Sequence, residues 1–304
     1  MEIVNLITGK TKLLGVIGNP LSHSISPQLH NTVSRGLGID AVYVPFLVEK
    51  GDLGAAVRGL KAINIVGFNI TIPYKNEVVR YIDEVSREAA LVGAVNTVKN
   101  VNGKLYGYNT DIPGFIRSFK EESGMDDLRG KRVALLGAGG AARAIAVGLA
   151  FEGISRLYII NRTRGKAADI AELINGNISP VAEYHGTSDT KIEEVLTKSD
   201  IIINATSVGM YPDVNKTPLD FPFSFLPRQV LYDVIYNPGK TRFLEEGEKQ
   251  GIKVVNGLGM LIYQGIMAYE IWMGIKVPDE ITRRLFEFFP GLPCREGFYG
   301  RNFH

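Results

Sequence analysis

The sequence of 304 residues contains a single cysteine, Cys294. One cysteine can form neither an internal disulfide nor a cysteine-rich zinc site, so we expect a reducing compartment, the cytoplasm. Charge of one sign is not in excess either, because 34 Lys and Arg face 32 Asp and Glu, for a net charge of +2. This balance gives no electrostatic reason to expect a nucleic acid or an anionic membrane as partner.

Long apolar runs are missing as well. No uninterrupted apolar stretch reaches the roughly 18 residues of a membrane span. The first five residues lack the basic and apolar regions of a signal peptide. The chain is instead 45% apolar overall. Its length gives room for about two domains. We expect a globular protein without a membrane span or export signal, and the sequence leaves open whether it is a monomer or a homodimer.

Short β-branched runs alternate with helical stretches, which is typical of α/β proteins with mostly parallel sheets. The first series predicts strands at 12–19, 41–48 and 65–72, helices at 27–37, 52–62, 75–91 and 112–122, and a hairpin that turns at Val101-Asn102-Gly103. The polar stretch at 122–131 is interpreted as a linker. A second α/β series follows, with a weak strand near 178–182, and a long helix at 260–275 is expected to return to the first domain.

The predicted architecture is an α/β protein of two domains with a cleft between them. An N-terminal substrate-binding domain with a mostly parallel sheet covers 1–123 and is completed by 258–289. A second α/β domain, of the Rossmann type, covers 124–257, and an irregular tail covers 290–304.

A buried strand at 133–136 runs directly into Gly137-Ala138-Gly139-Gly140-Ala141-Ala142 and a helix. This G-x-G-x-x-A pattern, between a strand and a helix, indicates dinucleotide binding. Gly137 permits the tight turn, Gly139 lets the backbone approach a pyrophosphate, and Ala142 allows close packing of helix on strand. The helix N-terminus attracts phosphate. The alternative is a tight loop with no ligand.

The end of the next strand favours NADP over NAD. An NAD site expects an acidic residue about 20 residues after the glycines, whereas a 2′-phosphate requires cations. Here the segment is Asn161-Arg162-Thr163-Arg164, followed by Lys166. Arg162 is our first choice of phosphate ligand, because guanidinium binds phosphate bidentately, and Arg164 or Lys166 is the second. A solvated basic loop is the alternative.

In the first domain, "SHSISP" places Ser24 and Ser26 on one side of an extended segment, where two hydroxyls could hold a small polar ligand. Ser26 precedes a proline, so it could instead be a helix N-cap. His23 and His30 are interpreted as structural, since no further ligand stands at metal-binding spacing, and we expect no metal site.

Lys75 in "NITIPYK" is predicted to lie in the first turn of a helix that begins at Pro73. The helix dipole disfavours a cation there and favours the neutral amine, which suits a group that exchanges a proton. A surface lysine is the alternative. Asp111 in "GYNTD" could pair with Lys75 or cap the helix that it opens.

Nine motifs in order resemble the shikimate dehydrogenase family: SHSISP, NITIPYK, GAVNTV, GYNTD, GAGGAARA, INRT, NATSVGM, YDVIYNP and GLGMLIYQG. The resemblance covers about residues 12 to 288. It implies reversible, NADPH-dependent reduction of 3-dehydroshikimate to shikimate, in chorismate and aromatic amino-acid biosynthesis.

The resemblance also implies roles for individual residues. Lys75 and Asp111 would be the catalytic pair. Substrate would be bound by Ser24, Ser26, Thr71, Asn96, Tyr236 and Gln264. NADP would be bound by Gly137, Gly139, Gly140, Ala141, Asn161, Arg162, Thr163, Arg164, Lys166, Thr206, Gly257 and Met260.

Other readings stay open at this point. Relatives accept quinate or prefer NAD, although the Ser-x-Ser pair favours shikimate over the bulkier quinate. A folate-linked dehydrogenase could share the two-domain layout, but would leave the Ser-x-Ser pair unexplained. A nucleotide-sensing regulatory protein would need neither Lys75 nor Asp111. The tail that contains Cys294 matches no part of the family pattern.

Overall fold

The computed structural model describes residues 7–22 and 24–288. His23 and the predicted tail, with Cys294, lie outside the described residues. The chain divides into two compact units. Unit 1 contains the described part of Met1–Arg117 together with Arg143–Gly148 and Leu261–Thr282, and unit 2 contains Ser118–Ala142, Leu149–Met260 and the described residues from Arg283 onward.

The strands are β1 (Lys12–Gly18), β2 (Ala41–Leu47), β3 (Gly67–Ile70), β4 (Glu84–Val85), β5 (Thr97–Val101), β6 (Lys104–Tyr108), β7 (Arg132–Leu136), β8 (Arg156–Ile160), β9 (Ala182–His185), β10 (Ile201–Asn204), β11 (Val230–Asp233) and β12 (Lys253–Val255). The α-helices are α1 (Ser26–Gly36), α2 (Leu53–Ala62), α3 (Arg87–Val92), α4 (Asp111–Ser123), α5 (Gly140–Phe151), α6 (Arg164–Asn177), α7 (Ile192–Lys198), α8 (Arg242–Lys249), α9 (Leu258–Met273) and α10 (Asp279–Phe288).

Unit 1 is built on a mixed sheet in the order β2-β1-β3-β5-β6-β4. β1 pairs in parallel with β2 and β3, while the predicted hairpin of β5 and β6 is antiparallel, as is the pair β3 and β5. The start of β5 therefore lies at the same edge as the carboxyl ends of β1, β3 and β6. Apolar side chains from this sheet and from α2 form a continuous buried core.

The segment at 75–91 is not the single helix that the sequence predicts. A turn at 72–76 is followed by a short 3₁₀ helix (Glu77–Tyr81), then β4, then α3. β-Branched valines and an isoleucine lower helix propensity here. Asp83 fixes the interruption, because its backbone N–H donates to the Leu105 carbonyl at 3.0 Å and its carboxylate accepts from Leu105 N–H at 2.7 Å. The Ser86 side chain then caps α3 by accepting from Ala89 N–H.

Unit 2 is built on a fully parallel sheet in the order β12-β11-β10-β7-β8-β9. Because the chain starts at the central β7, runs to one edge and then returns to the other side, the strand order reverses between β7 and β10, as in Rossmann folds. The weak strand predicted at 178–182 forms later, as β9. Both sheets confirm the predicted α/β class.

Most of the last long helix, α9, belongs to unit 1, which contains Leu261–Thr282. A Cβ added at Gly114 of α4 would lie 2.8 Å from the backbone nitrogen of Gln264 in α9, so the two helices approach through this glycine. Trp272 of the same helix donates its indole N–H to the Val98 carbonyl at 2.9 Å. Within the described residues, no helix has both the length and the apolar character needed to cross a membrane.

Candidate functional site

In unit 1, polar side chains gather where the strand ends meet at one edge of the sheet. Thr71 follows β3, Asn96 precedes β5, and Asp111 lies three residues after β6. Asn69 of β3 is opposite Thr97 in the sheet register, and Thr97 is opposite Tyr108. The topology therefore brings residues that are far apart in sequence to one place.

Lys75, Asp111 and Asn96 form a hydrogen-bonded cluster at this edge. Lys75 Nζ donates to Asp111 Oδ2 at 2.7 Å, and Asn96 Nδ2 donates to Asp111 Oδ1 at 2.9 Å. The Lys75 side chain is 32% exposed and that of Asp111 is 14% exposed. The lysine side chain is therefore partly open to solvent, while the carboxylate is hydrogen-bonded on both oxygens. Asp111 therefore uses its two oxygens for side-chain partners at the start of α4, where the helix dipole also favours a negative charge.

Asn96 is buried and its own orientation is fixed. Its carbonyl oxygen accepts from Thr110 N–H at 2.8 Å and from the Thr97 hydroxyl at 3.0 Å. With the oxygen bonded to the backbone, the amide NH₂ must point at Asp111. The sequence alone gave Asn96 only a family-implied role in substrate binding, whereas the structure shows it orienting the carboxylate.

The helix-dipole argument for Lys75 is wrong, because Lys75 lies in a turn before the 3₁₀ helix and not in the first turn of an α-helix. Its backbone is held instead by the Val95 N–H, which donates to the Lys75 carbonyl at 2.8 Å. Lys75 is thus placed by a bond to the segment before β5. The predicted pairing of Lys75 with Asp111 is nevertheless what the structure shows.

The Ser-x-Ser segment follows β1. Ser26 is not the N-cap: it is the first residue of α1, the cap is Ile25, and no side chain caps the helix. The Ser24 hydroxyl accepts from Ser26 N–H at 3.4 Å. Ser26 contacts the Tyr43 hydroxyl, which donates to Asn69 Oδ1 at 2.8 Å.

Asn69 links this segment to the lysine cluster. Its amide NH₂ donates to the Asn96 carbonyl at 3.0 Å and to the Thr97 hydroxyl at 3.1 Å. A buried chain of hydrogen bonds therefore connects Ser26 with the residue that orients Asp111. The Thr71 methyl packs over Gly18 at the end of β1, where an added Cβ would lie 2.3 Å away. Gln264 donates to the Leu261 carbonyl of its own helix at 2.9 Å.

His30 is a core residue, as its structural interpretation predicted. It is 1% exposed and stacks on Tyr43, with ring centroids 4.3 Å apart. Burial lowers the pKa of His30 to about 3, against a smaller opposing effect of its hydrogen bond with Asn69. His30 is therefore a neutral ring at physiological pH. Within residues 7–22 and 24–288, no three His, Cys, Asp or Glu side chains group as metal ligands.

In unit 2, the glycine-rich turn joins β7 to α5 at the carboxyl edge. Gly137 has φ +115°, and an added Cβ would lie 2.9 Å from the Ala205 carbonyl oxygen, so this position requires glycine. Among residues 7–22 and 24–288, a Cβ added at Gly139 or Gly140 would meet no atom within 4 Å other than the adjoining backbone. Ala141 is half-buried and Ala142 fully buried at the start of α5, as close packing of this helix requires.

The basic loop (residues 161–166) follows β8 at the same edge and includes the first turn of α6. Arg162, Thr163, Arg164 and Lys166 are exposed, and the Asn161 side chain donates to the Thr163 carbonyl at 2.9 Å. Thr163 is the N-cap of α6 but makes no side-chain cap bond. Arg164 differs from its neighbours, because it lies 3.6 Å from Asp189 and over the Tyr184 ring.

Thr206 follows β10 beside the glycine turn, and its methyl would lie 3.1 Å from a Cβ added at Gly137. Its hydroxyl donates to Asn204 Oδ1 at 2.7 Å. Asn204 in turn donates to the buried carboxylate of Asp233, which also accepts from the Thr241 hydroxyl at 2.7 Å. Burial raises the pKa of Asp233 to about 6, although these hydrogen bonds oppose the rise.

Tyr236, Gly257 and Met260 lie in unit 2, after the last two strands. An added Cβ at Gly257 would lie 2.0 Å from the Val234 carbonyl oxygen, which explains the glycine. Met260 is buried, and its backbone hydrogen-bonds the Tyr232 hydroxyl. Tyr236 is half-buried, and burial raises the pKa of its hydroxyl.

Family models account for most of the chain. A shikimate dehydrogenase substrate-binding domain matches residues 16–98, a shikimate/quinate 5-dehydrogenase model matches 120–212, and a shikimate 5′-dehydrogenase C-terminal domain matches 257–285. A Desulforamulus reducens protein named shikimate dehydrogenase (NADP+) is 41% identical over 92% of this chain and 96% of that protein. The chain belongs to the shikimate dehydrogenase family. The resemblance read from the nine motifs is confirmed.

Solved structures of the shikimate dehydrogenase fold agree. A Listeria monocytogenes shikimate 5-dehydrogenase, solved with shikimate and NAD, is 38% identical with a TM-score of 0.89, covering 94% of this chain and 100% of that chain. A ligand-free 5-ketofructose reductase from Gluconobacter is also 38% identical, with a TM-score of 0.83 and coverage of 93% and 100%. Similarity at this level shows the fold and the family, while two different substrates occur among such neighbours.

Sequence reasoning missed several site residues in this shikimate dehydrogenase family member. Tyr43, Asn69 and Thr97 carry the hydrogen bonds behind Asn96, and Asn204 and Asp233 support Thr206. Their signal was present: each is a polar residue inside an otherwise apolar strand or directly at its end. Buried polar groups need partners, so such positions predict a network even where the partner is unknown.

Proposed function

We propose that this protein catalyses the reversible NADPH-dependent reduction of 3-dehydroshikimate to shikimate, a step of chorismate and aromatic amino-acid biosynthesis. The observation that carries this proposal is the pair of Lys75 and Asp111 at 2.7 Å, held by the buried Asn96, in a chain of this family.

Lys75 is the proton donor in this proposal. Reduction of a ketone develops negative charge on the carbonyl oxygen, and an ammonium beside that oxygen stabilises the charge and then gives its proton to it. Lys75 has donors to spare, because an ammonium has three N–H bonds and Asp111 accepts one of them. The Lys75 side chain is partly exposed, and the proposal places a ligand oxygen next to its Nζ.

Asp111 positions Lys75 and is available to a substrate hydroxyl. An ionised carboxylate accepts hydrogen bonds on both oxygens, so Asp111 can hold the Lys75 ammonium and also accept from a neighbouring substrate hydroxyl. Asn96 fixes one of these oxygens, which limits rotation of the carboxylate. Such preorganisation lowers the barrier because no reorganisation is needed during the reaction.

The remaining polar side chains are proposed as substrate ligands. Ser24 and Ser26 would bind the carboxylate together with Thr71, because hydroxyl donors suit an anionic group without adding charge. Asn96 and Gln264 would bind ring hydroxyls. The Tyr236 side chain is proposed to lie near the substrate carboxylate.

NADP is proposed as the cofactor, and the residues of unit 2 fit it. Apart from the adjoining backbone, no atom of the described residues lies within 4 Å of the Cβ positions of Gly139 and Gly140, so a pyrophosphate can approach the backbone there, at the start of α5. When bound, the cofactor supplies the hydride for the carbonyl carbon. Ala141, Thr206, Gly257 and Met260 would line the site beside Gly137. Arg162 and Lys166 would bind the 2′-phosphate directly, with Asn161, Thr163 and Arg164 beside them in the cofactor site.

We also propose domain roles and a cellular setting. Residues 1–123, completed by 258–289, would form the substrate domain, and 124–257 the NADP domain. The single cysteine suits the cytoplasm. Sedimentation of the purified protein would decide between monomer and homodimer.

A spectrophotometric assay tests the proposal. Shikimate, quinate and reduced 5-ketofructose are each offered with NADP+ and with NAD+, and reduced nicotinamide is followed at a fixed pH. We expect the highest kcat/KM with shikimate and NADP+. A higher kcat/KM with another substrate would show that the protein has a different activity within the family. Absence of turnover with every pair of substrate and cofactor would refute the proposal that it is an enzyme of this kind.

A further inference from the structure

Of the three basic side chains in the loop after β8, only Arg164 makes an ion pair within the described residues. Its guanidinium lies 3.6 Å from Asp189 and 5.4 Å from the centroid of the Tyr184 ring. Arg162 and Lys166 are exposed and have no ion pair in the same part of the chain. The charge available to an anion at this loop is therefore set partly by an acidic residue that lies outside it.

Asp189 is a fixed anion and not a mobile surface side chain. Its Oδ2 accepts from Gly186 N–H at 3.0 Å, and its own N–H donates to the Gly186 carbonyl at 3.1 Å. Its side chain is only 25% exposed, and His185 Nδ1 lies 3.7 Å away. The turn after β9 thus holds the carboxylate in place whether or not Arg164 is present.

The sheet register brings this anion to the basic loop. β8 and β9 are parallel, Ile160 is opposite His185, and Asn161 N–H donates to the His185 carbonyl at 3.1 Å. The residues that follow β8 and those that follow β9 therefore leave the sheet side by side. A 2′-phosphate bound after β8 would carry a charge of about −1.5 to −2 close to the Asp189 carboxylate.

We propose that Asp189 is a cofactor-specificity residue that weakens 2′-phosphate binding by holding Arg164 and by repelling the phosphate, and so narrows the preference for NADP over NAD. The proposal rests on the NADP site put forward above. Arg162 and Lys166 would then be the primary phosphate ligands, while Arg164 becomes one when Asp189 is neutralised. Asp189 touches no reacting atom and acts through Arg164.

The Asp189→Asn variant isolates the charge. Asparagine keeps an oxygen that can accept from Gly186 N–H, so the turn after β9 is retained while one negative charge is lost. Glu248→Gln is the matched control: it makes the same change of charge on α8, which packs beside β12 at the opposite edge of the same sheet from β9. Thermal unfolding of each variant checks that the fold is intact.

Direct binding, measured by calorimetry, needs no catalytic activity. The probes are adenosine 2′-monophosphate and adenosine 5′-monophosphate, each at low and at high salt. At low salt, we expect Asp189→Asn to bind the 2′-phosphate probe at least about three times more tightly than the native protein does. The gain should be smaller at high salt, because exposed charges are screened. Asp189→Asn should bind the 5′-phosphate probe with the same affinity as the native protein. Glu248→Gln should bind both probes with native affinity.

A second variant separates release of Arg164 from a general field effect. In the Arg164→Met background, Asp189→Asn should give a clearly smaller gain for the 2′-phosphate probe, because the two residues are coupled. An unchanged gain in that background would overturn the role of Arg164, and no gain in the native background would overturn the whole proposal. Failure of shikimate turnover would instead refute the proposed function and leave the binding result untouched.

Discussion

In unit 1, Lys75 at the carboxyl edge of the sheet is paired with Asp111 at 2.7 Å, whereas Arg162 at the corresponding edge of unit 2 is exposed and has no ion pair within the described residues. Lys75 is positioned by Asp111, and Asp111 is held by Asn96, whose own amide oxygen is also hydrogen-bonded. Arg162 instead lies on the short loop between β8 and α6, where the Asn161 side chain donates to the Thr163 carbonyl. The first arrangement suits chemistry that depends on the position of one proton, and the second suits an anionic ligand that brings its own charge.

The largest effect is expected from removing the lysine. Lys75→Met keeps most of the aliphatic stem and removes the proton donor, so kcat should fall about a thousandfold, while binding of NADP+ changes little. Steady-state kinetics and calorimetric binding of NADP+ measure the two quantities.

The matched control is Lys61→Met. Lys61 also pairs with an aspartate in unit 1, Asp83, at 3.2 Å, but on the surface. Its replacement should leave kcat within about twofold, because exposed pairs contribute little. If Lys75→Met kept its fold and turned over at a near-native rate, the pair of Lys75 and Asp111 would be structural and not catalytic.

The glycine turn of unit 2 should separate stability from binding. Gly137→Ala places a Cβ at φ +115° and 2.9 Å from a backbone oxygen, so we expect a loss of about 1 to 3 kcal/mol in the free energy of unfolding and much weaker NADP+ binding, about a hundredfold. In the described part of the chain, the Cβ of Gly139→Ala meets no atom within 4 Å beyond the adjoining backbone. This variant should keep its melting temperature while its NADP+ binding is weakened. Equal affinity of Gly139→Ala and the native protein for NADP+ would mean that no phosphate approaches this backbone.

The local pattern predicted the two α/β series, the hairpin and the glycine turn, because each depends on residues close together in the chain. The segment at 75–91 was mispredicted, since the bonds of Asp83 to Leu105 decide its form and Leu105 is 22 positions away. The lysine cluster was predicted for the wrong local reason. Val95, which holds the Lys75 backbone, and Asn96, which orients Asp111, are placed by sheet pairing that no short window of sequence contains.

Arg162 should govern the choice of cofactor. Arg162→Met removes a bidentate phosphate donor, so the KM for NADP+ should rise about tenfold while the KM for NAD+ stays the same. The matched control is Arg156→Met at the amino end of the same strand, where Arg156 lies 3.6 Å from Glu183. An equal rise in both KM values would show that Arg162 acts on the shared part of the cofactors, or on the fold.

The last prediction concerns two buried titratable groups, whose effects on stability as pH falls are opposite in sign in the two units. Burial lowers the pKa of His30 in unit 1 to about 3, so the unfolded chain takes up a proton first, and stability is lost as pH falls below about 6.5. Burial raises the pKa of Asp233 in unit 2 to about 6, so the folded unit takes up the proton first, and stability is gained as pH falls from 6 towards 4. At pH 5 the His30 contribution is a loss of about 2 kcal/mol and the Asp233 contribution a gain of about 1 kcal/mol.

Hydrogen exchange, corrected for the intrinsic pH dependence of the amide rates, can follow the two units separately between pH 7.5 and pH 5. Protection should fall in unit 1 relative to unit 2 on acidification. His30→Phe keeps the stacking on Tyr43 and should abolish most of the loss in unit 1, whereas Asp233→Asn should abolish the gain in unit 2. Parallel behaviour of the two units in the native protein would contradict the opposite signs, because each sign follows from which state, folded or unfolded, binds the proton more tightly.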